Sequence, residues 1–252
     1  MIPASSVPFQ IAQYLQDFRA AAATAGGRLE QFGHIDEYPL IAWTKRTPGP
    51  RPRIYLSSGV HGDEPAPPLA LLDLLREGFF DESADWFICP ALNPVGLYRG
   101  TRENPEGRDL NRDYLDCLSP EVQAHVAWLQ RQPRFDLTLC LHEDWESQGF
   151  YLYELNPDQR PTLANVMIGA VGQLMSIESA EIIDGRPIDE PGIIRPVSDP
   201  SLRTNWPEAI YLRQAHTTLS YTLETPSALP LEQRIVAQKA AVTAAIRTLI
   251  LG

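Results

Sequence analysis

Short apolar runs alternate with longer segments of helical spacing along most of this chain. Phe9, Ile11, Ala12, Leu15 and Phe18 recur near a helical period and predict a helix over 8–24. Leu40–Trp43 and Ile54–Ser57 are short, apolar and bounded by turn residues, so they predict strands. The stretch 47–52, Thr-Pro-Gly-Pro-Arg-Pro, is a loop between them. Leu69, Leu71, Leu72, Leu74 and Leu75 predict a helix beginning at Pro65 or soon after, since a first turn tolerates proline. Trp86–Cys89, Leu137–Leu141, Phe150–Glu154 and Leu219–Leu223 read as further strands. Residues 120–130, 161–178 and the Ala-rich 230–250 read as helices. The polar segment 93–118 is too long for an idle connection. Residues 180–218 show weak periodicity and hold many Pro and Arg.

Strands alternating with helices predict a single α/β domain over 1–252, its sheet covered on both faces. His61, His142 and Glu224 all fall just beyond strand ends, where open α/β sheets place their sites. No Gly-x-Gly-x-x-Gly and no phosphate-loop motif occurs, so nothing supports a nucleotide cofactor.

Composition narrows the partners. The net charge of −11 argues against nucleic acid, which needs a basic face. An apolar content of 44% is ordinary for a globular protein, and no run reaches the roughly 20 apolar residues of a membrane span. No basic stretch precedes an apolar one at the N-terminus, so no signal peptide is expected. Cys89, Cys117 and Cys140 have no metal-type spacing and read as free thiols of a reducing compartment, Cys89 and Cys140 in the core. The expectation is a soluble cytoplasmic protein without a membrane or nucleic-acid partner. Its oligomeric state is not legible.

The candidate chemistry begins at Ser-Ser-Gly-Val-His-Gly-Asp-Glu, residues 57–64. A His and a carboxylate three residues apart can close on one metal ion if the backbone turns between them, and Gly62 offers that freedom. Zinc accepts both donors, and a catalytic site needs three protein ligands plus an open position. His142, at the end of the strand Leu137–Leu141, is the candidate third ligand. Either His alone would read as structural or surface; the combination points to a metal. Glu143 and Asp144 follow directly and could orient a ligand imidazole. His34, His125 and His216 lack such context and read as surface or structural.

Glu224, in Ser-Tyr-Thr-Leu-Glu-Thr-Pro (220–226), can supply the carboxylate that takes a proton from attacking water and passes it to a leaving nitrogen. Arg102, Arg108 and Arg112 crowd the polar segment, with Asn111 beside the last. Arg holds carboxylates through paired hydrogen bonds, so this segment suits a substrate carboxylate. A second Arg nearer the metal could face the oxyanion of the reaction.

His61-Gly62-Asp63-Glu64, Asn93-Pro94, Thr101-Arg102, Asp109-Leu110-Asn111-Arg112, His142 and Glu224-Thr-Pro together resemble the M14 zinc carboxypeptidase superfamily, in that family's order. The resemblance implies a mixed, mostly parallel eight-stranded sheet between helices. It implies one Zn2+ per chain on His61, Glu64 and His142. Glu224 would be general base and acid, Arg102 would stabilise the oxyanion, and Asn111 and Arg112 would hold the terminal carboxylate. Size and the Glu-Thr-Pro ending are closest in character to the bacterial murein peptide amidase branch. The mobile tyrosine of the pancreatic members has no secure match; Tyr211 is a candidate by distance only, and Tyr221 reads as part of the last strand. Specificity is expected from 180–218, through Arg186, Arg195 or Arg203.

The main expectation is therefore a zinc metallocarboxypeptidase acting on a peptide or peptide-like amide beside a free carboxylate. The alternative is an N-acyl amino acid deacylase of the succinylglutamate desuccinylase/aspartoacylase type, acting on a small acylated amino acid. A degenerate binding protein would require loss of a ligand or the base, and none is lost.

Overall fold

The computed structural model describes residues 9–251. The first helix, α1 (Ile11–Ala25), buries Ile11, Leu15 and Phe18 of the stripe read from the sequence, with Tyr14 added and Ala12 left exposed; position 8 of the predicted span lies outside the described residues. The hairpin β1 (Arg28–Ile35) and β2 (Tyr38–Lys45) follows, then β3 (Arg53–Ser58), α2 (Ala66–Arg76), β4 (Asp85–Cys89) and α3 (Pro94–Arg99). A 3₁₀ turn at Leu110–Arg112 leads to α4 (Pro120–Leu129), β5 (Leu137–Asp144), β6 (Tyr151–Leu155) and α5 (Ala164–Val171). The short strands β7 (Ile182–Ile183), β8 (Arg186–Pro187) and β9 (Ile193–Ile194) precede α6 (Glu208–Ala215), β10 (Ser220–Pro226) and α7 (Leu231–Leu251).

Eight strands form one mixed sheet in the order β1-β2-β4-β3-β5-β10-β6-β9, with β7 and β8 a separate hairpin. The inner pairs β4–β3, β3–β5 and β5–β10 are parallel, as expected for strands joined through helices. Alternation along the strands divides the core. Ile54, Leu56, Leu137, Leu139, Leu141 and Leu223 face the layer of α1, α2, α5 and α7. Tyr55, Phe87 and Cys140 face α4 and α6. Both faces of β3 and β5 are buried, so these strands read as continuous apolar runs.

Several elements differ from the sequence reading. β1 was not anticipated, because it is a polar edge strand with a register shift between Gln31 and Gly33 that breaks its alternation. The predicted helix 161–178 shortens to Ala164–Val171. Residues 176–178 instead pair with Phe150, which donates to Ser176 O and accepts from Glu178 N. The segment 180–218 contains α6, whose eight residues are too few to show a period. Cys89 and Cys140 are buried, and all three cysteines are free. Among the described residues, no helix is long and apolar enough to cross a membrane.

Candidate active site

The parallel strands β3, β5 and β10 end at the same edge, and the site lies there. The chain leaves β3 through Gly59, at φ +64°, a left-handed turn suited to glycine. Gly62 is required for a different reason from the one its place in the motif suggests. Its φ is ordinary, but a Cβ there would come within 1.9 Å of the Gly96 carbonyl carbon in α3. Turn and helix pack backbone to backbone, with Gly62 N–H donating to Thr101 O at 2.9 Å.

This packing brings His61, Glu64 and His142 together, each buried. Glu64 stands between the two imidazoles: Oε1 is 2.5 Å from His61 Nδ1 and Oε2 is 3.0 Å from His142 Nδ1. One donor atom from each of the three lies within 4.8 Å of the others. The approach of Glu64 Oε2 to His142 Nδ1 is an ion-pair contact whose geometry falls short of a hydrogen bond. Two nitrogens and a carboxylate oxygen converging on one point fit a metal ion held by three protein ligands.

Charges are arranged around this trio. Burial disfavours the His61 imidazolium, but the Glu64 carboxylate and the bond to Asp109 outweigh it and raise its pKa to about 9. Burial would raise Glu64, yet His61 and His142 hold it down to about 2. Without an ion, a proton on His61 supplies the positive charge that Glu64 needs.

Asp109 ties the site together. Its Oδ1 accepts from Asn111 N (2.8 Å) and lies 3.2 Å from His61 Nε2, while Oδ2 accepts from Arg102 Nε at 3.1 Å. A carboxylate behind a ligand imidazole fixes its orientation and raises its basicity. Burial opposes the charge on Asp109, but His61, Arg102 and Arg112 hold its carboxyl well below the usual range. The sequence reading gave this orienting task to Glu143 or Asp144, and that reading is corrected here. Glu143 points to the other side of β5, where it accepts from Ala66 N at the start of α2 and pairs with Arg234 of α7 at 2.6 Å. Asp144 accepts from the Tyr151 hydroxyl at 3.0 Å.

Arg102 reaches the same cleft, its Nη1 3.8 Å from Glu64 Oε1. Asn111 lines the cleft; its Oδ1 accepts from Glu208 N at 2.9 Å, and its Nδ2 amide group has no hydrogen-bond partner among the described residues. Arg112 donates to Asn111 O at 2.8 Å and has no carboxylate partner among the described residues. Glu224 pairs in register with His142 on the neighbouring strand. Burial, and then Glu64 and Asp144, raise the Glu224 pKa to about 8 against the opposing pull of His142 and Arg102. All seven residues singled out from the sequence therefore meet at one strand edge.

The cleft beside them has a volume of 260 Å³. Tyr151 and Tyr153 line it, and neither was anticipated; their positions on an edge-side strand carried no local signal. Tyr211 is elsewhere, packed on Tyr114 and His216, and Tyr221 is buried in β10 with its hydroxyl on Glu154. Of the three suspected specificity residues, Arg186 and Arg203 line the cleft. Arg195 is instead paired with Glu154 (2.7 Å) and Glu190 (2.8 Å). His125 and His216 are buried away from the metal trio, as structural residues.

The chain belongs to the succinylglutamate desuccinylase/aspartoacylase catalytic domain family, whose model matches residues 50–250. It is also 32% identical over 153 residues to carboxypeptidase D of Anas platyrhynchos, a match covering 44% of this chain and 11% of that protein. The chain thus spans about a tenth of the length of that curated relative. Among solved structures, a protein classed as a metallopeptidase from Shewanella amazonensis superposes with a TM-score of 0.84 at 24% identity, covering 96% of this chain and 94% of that one. A metallo-carboxypeptidase from Pseudomonas aeruginosa, in complex with (2-guanidinoethylmercapto)succinic acid, superposes with a TM-score of 0.68 at 19% identity over 94% of this chain and 69% of that one. The mixed eight-stranded fold implied by the zinc carboxypeptidase resemblance is thereby borne out.

Proposed function

We propose that this protein is a zinc-dependent hydrolase of an amide bond whose amino-side unit carries a free carboxylate. The observation that carries this reading is the convergence of Glu64 and both histidines beside Glu224 and Arg102, with Asn111 and Arg112 at one side of the same cleft.

When bound, zinc on His61, Glu64 and His142 supplies a Lewis acid and lowers the pKa of a water molecule. The rest follows from this chain's own groups. Glu224 takes the proton of the attacking water and returns it to the leaving nitrogen, so the amide plus water become an acid and an amine. Burial raises its pKa, His142 and Arg102 oppose that rise, and the charge of a bound metal would oppose it further and favour the basic carboxylate. Arg102, fixed by Asp109 through Nε, presents its Nη groups to the developing oxyanion. Asn111 Nδ2 and Arg112 hold the terminal carboxylate and so set which bond lies over the metal.

A cleft of 260 Å³ lies just below the ~300–1,000 Å³ usual for ligand sites, which favours a small substrate. An N-acylated amino acid fits that size and agrees with the family. A short peptide is the second reading, favoured by the match to carboxypeptidase D and by the structures of metallopeptidase class. Murein-type peptides fall within this second class.

The test is a substrate panel with the zinc-loaded protein, read by mass spectrometry: N-acyl amino acids, short peptides, cell-wall stem peptides and the carboxyl methyl ester of each. Loss of a C-terminal, carboxylate-bearing unit from the free acids but not the esters is expected. Equal cleavage of esters, or no cleavage anywhere, would overturn the reading.

A further inference from the structure

A buried polar cluster lies on the sheet face opposite the metal trio. His142 and Glu224 share a face with Cys140, toward α4 and α6. Glu143 and Thr225, the next pair in the same register, point the other way with Leu141 and Leu223, toward α7. There α7 supplies Gln238 and Arg234. Gln238 is wholly buried and donates through Nε2 to His142 O at 2.7 Å and to Thr225 Oγ1 at 3.2 Å. Arg234 Nη1 donates to Glu143 Oε1 at 2.6 Å, and Thr225 Oγ1 donates to the same oxygen at 3.4 Å. Glu143 Oε2 accepts from Ala66 N, two residues after Glu64, at 2.9 Å. These contacts therefore land on the His142 carbonyl itself, on the neighbour of Glu224, and on the backbone just past Glu64.

The sheet alone gives less support at this level. The β3–β5 ladder ends at Ser58 opposite Leu141, one position before His142. Beyond it β5 has a strand neighbour on one side only, in β10, which runs on to Pro226 opposite Asp144. Gln238 reaches the His142 carbonyl there and ties it to β10 through Thr225.

Packing does not account for these side chains. Gln238 Oε1 is buried without a hydrogen-bond partner among the described residues, a cost that an apolar side chain of the same length avoids. Arg234 and Glu143 form a buried ion pair, a contact that well-packed apolar residues often replace with no loss of stability.

We propose that Gln238, together with the Arg234–Glu143 pair, is a clamp of positioning residues that sets the relative placement of His142, Glu64 and Glu224 through the backbone. It rests on the zinc-hydrolase reading for the groups it positions.

The test compares three variants of the full chain. Gln238→Met keeps the length and removes the donor. Glu143→Gln/Arg234→Met removes both buried charges together and leaves neither uncompensated. Val242→Ala opens a cavity in the apolar core of the same helix and serves as control. Each is loaded with cobalt, whose visible bands report ligand geometry. Metal affinity is measured by chelator competition, and kcat and KM at saturating zinc. Gln238→Met and the double variant should shift the cobalt bands and weaken metal binding about tenfold or more. Their kcat should fall about ten- to hundredfold while KM stays within about threefold. Val242→Ala should melt at a lower temperature with the spectrum, metal affinity and kcat of wild type.

Wild-type spectrum, metal affinity and kcat in Gln238→Met would overturn the proposal, and that variant decides alone if the double variant does not fold. The same changes in Val242→Ala would also overturn it, since they would follow from lost stability anywhere on α7. Wild type separates this proposal from the reading beneath it. Metal uptake without hydrolysis of any amide removes the hydrolase and leaves the spectrum and affinity to decide the clamp. No metal uptake removes the metal site and the clamp together.

Discussion

Glu224 and His142 occupy partner positions in the parallel register of β10 and β5, so their side chains leave the same face of the sheet at the same level. A slip of one residue would turn Glu224 into the opposite core. The sheet itself thus sets the spacing between the proposed metal ligand His142 and the proposed proton-transfer group Glu224.

Glu224→Gln keeps the shape of that side chain and removes its basicity. Turnover should fall by about 10²–10⁴-fold, the range for a positioned acid–base group, while bound zinc is retained. Single-turnover kinetics with metal analysis on the same sample would check it; wild-type rates would remove Glu224 from the mechanism.

Asp109→Asn should lower zinc affinity by about 10–100-fold, as expected when the partner behind a ligand imidazole is lost. Arg102 also loses its anchor at 3.1 Å, so kcat should drop even when zinc is saturating. Competition with a chromophoric chelator gives the first number and saturated kinetics the second.

The pH dependence has opposite signs with and without metal. In the metal-free protein the His61 pKa is raised to about 9, above its ordinary value near 6.5. The stability this contributes is complete below about pH 6.5 and is lost as pH rises through 9. Glu64, held at about 2, contributes stability above about pH 4.5 that is lost as pH falls toward 2. Metal must displace the His61 proton, so zinc affinity should rise about tenfold per pH unit between pH 6 and 8. Thermal melts of stripped protein and chelator competition across that range would show both trends. An affinity that does not change with pH would contradict the protonated His61.

Gly62→Ala forces a methyl group against the Gly96 backbone, where no flexible side chain can give way. A loss of about 1–3 kcal/mol of stability is expected, with weakened metal binding, because the turn carries two of the three proposed ligands. Denaturant unfolding of the metal-free variant against wild type measures the first directly.

Much of the site was legible because its residues sit at the ends of short apolar strands, a signal local in sequence. His142 and Glu224 are both of this kind. The orienting role of Asp109 was not legible, since its contact with His61 spans 48 positions and depends on how the polar segment folds back. Glu143 was misassigned where period-2 alternation could have helped: the residue after His142 in a strand must face the other way. α6 lies in a segment with almost no period of its own, and Tyr151 and Tyr153 lie on a strand that was legible, but nothing local showed that they face the cleft. Gly62 was correctly singled out, but for torsional freedom; only the approach of α3 shows that space is the constraint.

The most direct measurement is a zinc titration of the metal-stripped protein, following hydrolysis of a small N-acyl amino acid or short peptide together with bound metal. Activity that rises linearly and stops at one zinc per chain, and that is lost with the metal in His61→Ala, is the expected result. Hydrolysis that persists in the stripped protein, or full zinc retention in His61→Ala, would contradict the assignment of His61, Glu64 and His142 as the metal site of a hydrolase.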